Sequence, residues 1–250
     1  MALVLVTGGT GTLGRPVCDR LRALGHEVRV LSRHSPPYAV DLRDGTGLGA
    51  AVEGVDTIVH CASSPRGGDE KAVENLLAAA RTAGVGHLVY ISIVGVDRVP
   101  LGYYRVKHRV ERLIERAGES QGPGWTVLRT TQFHDLVLQV LSGAARLPLV
   151  LPVPSGVSVQ PVDTAEVADR LAQLAAGPPG GRVPDMGGPE VRPLRELAEV
   201  YLRASGRRRT VVPVRLAGKA YARFRAGGHL TPGHAVGRVT FEEFLGRRLP

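Results

Sequence analysis

Cysteine is nearly absent from this chain, with Cys18 and Cys61 the two thiols in 250 residues. They form no CxxC pair and join no Cys/His cluster, so neither a disulfide framework nor a metal site is expected. Long apolar runs are missing too. No stretch approaches the ~20 residues of a membrane span, and Ala2 to Val6 is too short for a signal peptide. A cytoplasmic protein with no membrane partner is the expectation. Lysine occurs at positions 71, 107 and 219 alone, so arginine carries the positive charge and a lysine within a motif stands out. Acidic residues number 23 against 32 basic ones, a net charge of +9. The densest basic run, Arg207-Arg208-Arg209, adjoins Val211 to Val214 without interleaved aromatics. That reads as a solvated strand edge and excludes nucleic acid as the expected partner.

What is present is the content of a folded α/β chain. Hydrophobic residues make up 43% of the sequence, ample for a core. Strand-like runs at Leu3–Val6, Val28–Leu31, Thr57–His60, Leu88–Ser92 and Thr126–Arg129 alternate with helix-period segments. This alternation predicts a Rossmann-type, doubly wound parallel sheet with ligands at the C-terminal edge of its strands. Helices are expected over Leu13–Leu24, Lys71–Thr82 and Tyr103–Ala117, with Gly25, Gly84 and Gly118 as left-handed stops. After residue 130 prolines punctuate shorter elements. Residues 1–130 are therefore read as a dinucleotide-binding core and 131–250 as a mixed substrate-binding region completing the same domain. Asp163 to Glu166 and Thr240 to Glu243 read as capping boxes.

The first run ends in Thr7-Gly8-Gly9-Thr10-Gly11-Thr12-Leu13-Gly14, a GxxGxxG turn that opens an amphipathic helix. Each glycine answers a separate demand: a tight turn at Gly8, backbone approach to a pyrophosphate at Gly11, and close helix packing at Gly14. Thr10, Thr12 and Leu13 complete that turn, and the helix behind it directs its N–H groups at phosphate. The second strand ends in Ser32-Arg33, where an arginine replaces the acid that would bind a free ribose 2′-hydroxyl. Ser32 and Arg33, with Arg15 as a further candidate, predict a 2′-phosphate and hence NADP(H). Asp41-Leu42, after the third apolar stretch, is placed beside the adenine, with Asp41 accepting from its amino group. His60-Cys61-Ala62-Ser63 closes the strand at Thr57–His60, where small residues let the backbone lie against the cofactor. His60 itself reads as a buried, hydrogen-bonded histidine.

Ser92 ends a strand, and eleven residues later comes Tyr103-Tyr104-Arg105-Val106-Lys107. Residues four apart share a helix face, so Lys107 is expected to sit beside Tyr103 and lower its phenol pKa from ~10. Tyr103 would then exchange a proton with a carbonyl or alcohol oxygen to which Ser92 also hydrogen-bonds.

The glycine turn, Ser92 and the YxxxK segment together resemble the short-chain dehydrogenase/reductase superfamily, and most of all its atypical, NmrA-like NAD(P)H-binding branch. Supporting stretches are Ile91 to Asp97, Leu128 to His134, Gln160 to Asp163 and Thr240 to Leu245, so the resemblance spans the chain. It implies nicotinamide contacts from Thr131, Gln132 and Phe133, with Lys107 reaching the nicotinamide ribose. It also implies a pocket lined by Gln132, Phe133 and His134, and a homodimer paired through the Tyr103–Ala117 helix. The sequence departs from better-known subgroups at His60 to Ser63, where those carry Asn-Ala-Gly. The expected activity is NADPH-dependent reduction of a small-molecule ketone, quinone or enone, with Ser92, Tyr103 and Lys107 as the catalytic set and secondary metabolism as its setting. Two other readings remain open from sequence: a redox-neutral isomerase, epimerase or dehydratase on the same fold, and a non-catalytic NADP(H)-sensing module. Net cofactor consumption separates the first of these, and cofactor-dependent partner binding the second.

Overall fold

A computed structural model describes residues 1–34 and 36–249. Through the first half the elements run β1 (Leu3–Thr7), α1 (Gly14–Ala23), β2 (Glu27–Leu31), α2 (Leu48–Val52), β3 (Thr57–His60), α3 (Asp69–Thr82), β4 (His87–Ile93), α4 (Gly102–Glu119) and β5 (Gly124–Thr130). They continue with α5 (His134–Ala144), β6 (Val150–Pro154), β7 (Ser158–Val159), α6 (Thr164–Ala176), β8 (Gly181–Arg182), β9 (Arg192–Pro193), α7 (Leu194–Ala204), β10 (Thr210–Val214), α8 (Lys219–Arg225) and α9 (Phe241–Arg248). None of these helices is long and apolar enough to cross a membrane.

The chain divides into two compact units. One comprises Met1–Ser92, Gly102–Arg129 and Ala165–Pro184, the other Ile93–Leu101, Thr130–Thr164 and Asp185–Pro250. The first is an α/β Rossmann-like fold on a six-stranded sheet of order β2-β1-β3-β4-β5-β8. β1 pairs in parallel with both β2 and β3, and β3 with β4. The direction of winding reverses at β1, between β2 and β3, which places a ligand crevice at the C-terminal ends of β1 and β3.

Period-2 alternation sorts each strand between two layers. Leu5, Ile58, Leu88, Tyr90 and Val127 are buried with Leu48, Val52, Val73, Leu76, Val110 and Ile114 from α2, α3 and α4. Val4 and Val6 point the other way, toward α1, whose Val17 and Leu21 are fully buried. α1 and α6 are tied by a 2.6 Å ion pair between Arg20 and Asp169.

The apolar stretch ahead of Asp41 forms a single parallel bridge, Ser32 to Ala39. Pro36 and Pro37 intervene, and neither has an N–H for a ladder. Gly118 is not a left-handed stop: α4 runs through it to Glu119, and the positive φ falls at Gln121 (62°). A Cβ on Gly118 would strike the Trp125 ring, so packing, not backbone conformation, requires the glycine there. Gly25 and Gly84, by contrast, take the expected left-handed conformation at φ 83° and 70°.

The second unit buries Val137 and Leu141 of α5, Leu151 and Val153 of β6, Leu197 and Tyr201 of α7, and Phe241, Phe244 and Leu245 of α9 in one core. β6 pairs in parallel with β10, so Arg207 to Arg209 immediately precede a strand. The capping box at Thr240 is formed: its hydroxyl accepts from the Glu243 N–H at 3.2 Å, and the Glu243 carboxylate accepts from the Thr240 N–H at 2.8 Å.

Candidate active site

The end of β1 supplies a close-packed glycine turn in the first unit. Gly8 has φ 66°, and a Cβ there would sit 2.8 Å from the Ala62 nitrogen. The turns after β1 and β3 therefore touch backbone to backbone, and the smallness of both serves chain contact as well as ligand approach. A Cβ on Gly14 would overlap the Gly8 carbonyl, so α1 starts as close to the turn as the chain allows. The Gly11 N–H donates to the Gly8 carbonyl at 2.9 Å, which folds the loop under the N-terminus of α1. A glycine-rich turn ahead of a ten-residue helix is the geometry a pyrophosphate requires.

Thr7, the residue that leads into the glycine turn, locks this junction. Its hydroxyl is 2.7 Å from Nδ1 of His60 and accepts from the Ala62 N–H at 3.3 Å. His60 stacks on Tyr90 with ring centroids 5.5 Å apart. Burial, with help from the Lys107 charge, pushes its pKa down to about 3, so it is a neutral structural group, as expected. Cys61 is driven up to about 12 by burial, which makes it an unreactive thiol.

On the adenosine side, Arg33 and Arg15 are exposed, and the Ser32 hydroxyl is buried without a hydrogen-bond partner among the described residues. A buried hydroxyl without a partner, followed in sequence by an exposed guanidinium, fits a phosphate. Asp41 is placed differently from expectation. Its carboxylate is gripped by Arg43 through Nε at 3.1 Å and Nη2 at 2.6 Å, and by the Arg43 N–H at 3.0 Å. These contacts hold Asp41 down to about 2. The Leu42 side chain is buried in the core, and its carbonyl accepts from the Asn75 amide at 2.9 Å. Neither Arg43 nor Asn75 carries a sequence signal for this role.

α4 presents Tyr103, Lys107 and Glu111 at successive i, i+4 positions. Lys107 is 3% exposed, its ammonium donating to the Ile91 carbonyl at 2.9 Å and lying 4.3 Å from the Tyr90 ring centroid. Burial brings it down to about 8, with Asp69, Cys61 and Glu111 pulling the other way. The expected lowering of the Tyr103 phenol is not what the structure shows. Burial raises it, Asp69 raises it further, and the hydroxyl of Ser63 works against that rise. The Tyr103 hydroxyl lies 2.7 Å from Ser63 Oγ, and Ser63 donates to Asp69 Oδ2 at 2.5 Å. Asp69 Oδ1 also accepts from the Ser64 N–H at 2.8 Å. Ser63, not Ser92, is thus the hydroxyl that meets Tyr103. The Ser92 hydroxyl is buried with no hydrogen-bond partner among the described residues. Asp69 was legible only as an acid opening a helix after Gly67-Gly68.

In the second unit, the Thr131 hydroxyl is committed to the fold: it donates to the Gln160 carbonyl and accepts from the Gly188 N–H at 3.3 Å. The Gln132 side-chain oxygen takes the Gln160 N–H at 3.5 Å, while its buried amide nitrogen has no hydrogen-bond partner among the described residues. Phe133 forms the parallel bridge to Val162 and precedes α5. His134 is corrected from a pocket residue to a core one. It is 1% exposed, donates from Nε2 to the Val239 carbonyl oxygen at 3.0 Å, and stacks on Phe241 and Phe244.

Residues 8–176 match the model of an NAD(P)H-binding family. A (4-alkanoyl-5-oxo-2,5-dihydrofuran-3-yl)methyl phosphate reductase of Streptomyces griseus is 31% identical over 219 residues, covering 82% of this chain and 74% of that protein. A 2-alkyl-3-oxoalkanoate reductase of Stenotrophomonas maltophilia is 28% identical, covering 81% and 76%. Among solved structures, an NADPH-dependent quinone oxidoreductase from Escherichia coli complexed with NADPH superposes with a TM-score of 0.79 at 19% identity, covering 98% of this chain and 99% of that one. With the glycine cradle, the reversal of winding at β1 and the family match in agreement, this chain belongs to the NAD(P)H-binding family of atypical short-chain dehydrogenases/reductases.

Proposed function

We propose that the protein is an NADPH-dependent reductase of small carbonyl compounds, ketones, enones or quinones, with Tyr103 as the proton donor. The observation that carries this reading is the face of α4 on which Tyr103 and Lys107 stand one turn apart, in the same unit as the cradle formed by Gly8, Gly11 and Gly14. When bound, the reduced nicotinamide supplies the hydride. The chain's own residues do the rest. Gly8 to Gly14 and the N-terminus of α1 receive the pyrophosphate, and Thr10, Thr12 and Leu13 shape its path. Cys61, Ala62 and Ser63 flank the cofactor from the end of β3. Lys107 presents a fixed positive charge for the nicotinamide ribose and for oxyanion charge that develops nearby. Tyr103 delivers its proton to the carbonyl oxygen, with the unpartnered Ser92 hydroxyl as a second donor to that oxygen.

The two reductase relatives also favour a substrate with an anionic group. Both relatives act on compounds that carry a phosphate or a carboxylate by name.

Selectivity for the 2′-phosphate rests on Ser32 and Arg33. Titrating the protein with NADPH and NADH, followed by cofactor fluorescence, is expected to show NADPH bound more tightly. Arg33→Ala should weaken NADPH by at least about tenfold, the ~1.5–3 kcal/mol of a charge-assisted contact, and leave NADH nearly unchanged. Equal losses for the two cofactors would remove Arg33 from this role. Failure to bind either would overturn the reading as a whole.

A further inference from the structure

The carboxylate of Asp69 has no part in the reaction as described so far, yet it is buried and one of its oxygens, Oδ2, ends a continuous hydrogen-bonded path. Asp69 is 6% exposed at the start of α3. Its Oδ2 holds the single hydroxyl proton of Ser63 at 2.5 Å. An ionised carboxylate only accepts, and a serine has one proton to give. With that proton on Asp69, Ser63 has only lone pairs to offer Tyr103, so the 2.7 Å contact between them has the phenol as donor. The path Tyr103 to Ser63 to Asp69 is therefore oriented, each O–H pointing toward the carboxylate.

We propose that Asp69, acting through Ser63, is the far terminus of a proton relay that serves Tyr103. The proposal rests on the reading of Tyr103 as the acid. In the reducing direction Asp69 enters the relay protonated, having taken one proton from water. Its proton passes to Ser63 Oγ as the Ser63 proton passes to the phenolic oxygen. The phenolic proton passes to the substrate oxygen that hydride addition leaves negative. One O–H bond breaks and one forms at each oxygen, one proton moves from solvent to product, and Asp69 ends ionised. The reverse reaction starts from the arrangement seen in the structure, with the alcohol proton entering at Tyr103 and leaving at Asp69. Asp69 is a positioning and relay residue, since it touches no reacting atom. The groups facing it are Ser63 and Ser64 from the loop after β3, Tyr90 from β4, and Tyr103 and Lys107 from α4.

The relay has a readout that needs neither cofactor nor substrate. Tyrosine labelled with 13C at Cζ reports phenol ionisation by NMR, and Tyr103→Phe identifies the signal. In Asp69→Asn, which keeps an acceptor for the Ser64 N–H, the Tyr103 ionisation should move to lower pH because the carboxylate charge is gone. In Ser63→Ala the neutral-form shift should change because the phenol loses its acceptor. A Tyr103 titration identical in wild type and both variants would overturn the coupling.

Turnover supplies the second readout. Rates in H2O/D2O mixtures should curve for wild type, where more than one proton moves. They should become linear and at least tenfold slower in kcat for Ser63→Ala and Asp69→Asn, with the Kd for NADPH unchanged in Asp69→Asn. Wild-type rates linear in deuterium fraction, or variants as fast as wild type, would refute the relay. If Tyr103→Phe retained full turnover the proposed acid itself would fail, a result distinct from loss of activity in Tyr103→Phe alone with Ser63 and Asp69 silent.

Discussion

Replacing Tyr103 by phenylalanine is expected to reduce turnover by at least about a hundredfold, the lower end of what a positioned general acid contributes, and to leave NADPH affinity unchanged. The substitution removes one oxygen and keeps the ring. The half-buried aromatic body of Tyr103 stays packed, and Ser63 retains Asp69 as its partner. A hundredfold corresponds to roughly 2.7 kcal/mol of barrier. The expectation is sharpened by the direction of the phenol shift. A tyrosine raised by burial and by the nearby Asp69 holds its proton across the neutral range, which suits donation to a carbonyl oxygen during reduction and disfavours a resting phenolate. NADPH consumption with a panel of ketones, enones and quinones, read at 340 nm, is the assay. Wild-type rates in the phenylalanine protein would assign the proton to another group. Consumption of NADPH by the wild type would also separate reduction from redox-neutral chemistry and from a sensing role.

The second large effect is expected one turn beyond Lys107. Glu111 and Arg129 form a bidentate pair, Nε to Oε1 at 2.8 Å and Nη2 to Oε2 at 2.6 Å, with side chains 2% and 8% exposed. The pair fixes the buried face of α4 to the end of β5, and so sets the depth at which Lys107 and Tyr103 stand. Removing one partner leaves an uncompensated charge in a low-dielectric interior, so Arg129→Met should destabilise the fold by about 3–5 kcal/mol. Replacing both, with Glu111→Leu added, should recover most of that loss because the desolvation of both ions disappears with them. Urea titration of the wild type and of these two variants tests this. A loss below about 1 kcal/mol in the single variant, the range of an exposed pair, would mean that solvent reaches the site.

Much of the first unit was legible because its signals are local. Apolar runs four or five residues long, bounded by glycine, mark buried parallel strands, and Gly8 and Gly14 meet the demands their spacing announces. The YxxxK spacing places Tyr103 and Lys107 on one helix face, as written. What spacing does not encode is which partner each side chain finds across the fold. Lys107 is drawn to the Ile91 carbonyl and the Tyr90 ring, and Tyr103 to a serine forty residues earlier. Asp41 finds Arg43 two residues on, a turn contact that competes with any ligand. The second unit was less readable. Its strands β7 and β9 are two residues each, too short for a periodic pattern. The core role of His134 depends on Phe241 and Phe244, more than a hundred residues away.

Lys107 also bears on the thermodynamics of ligand association. A free lysine side chain carries roughly 2 kcal/mol of rotamer entropy, which a flexible surface lysine loses when it closes on an anionic ligand. Here the ammonium is already held by a carbonyl and an aromatic face within the folded chain. That ordering belongs to folding, so binding at this position begins from a rigid group, and calorimetry of NADPH association should register little entropy lost at Lys107.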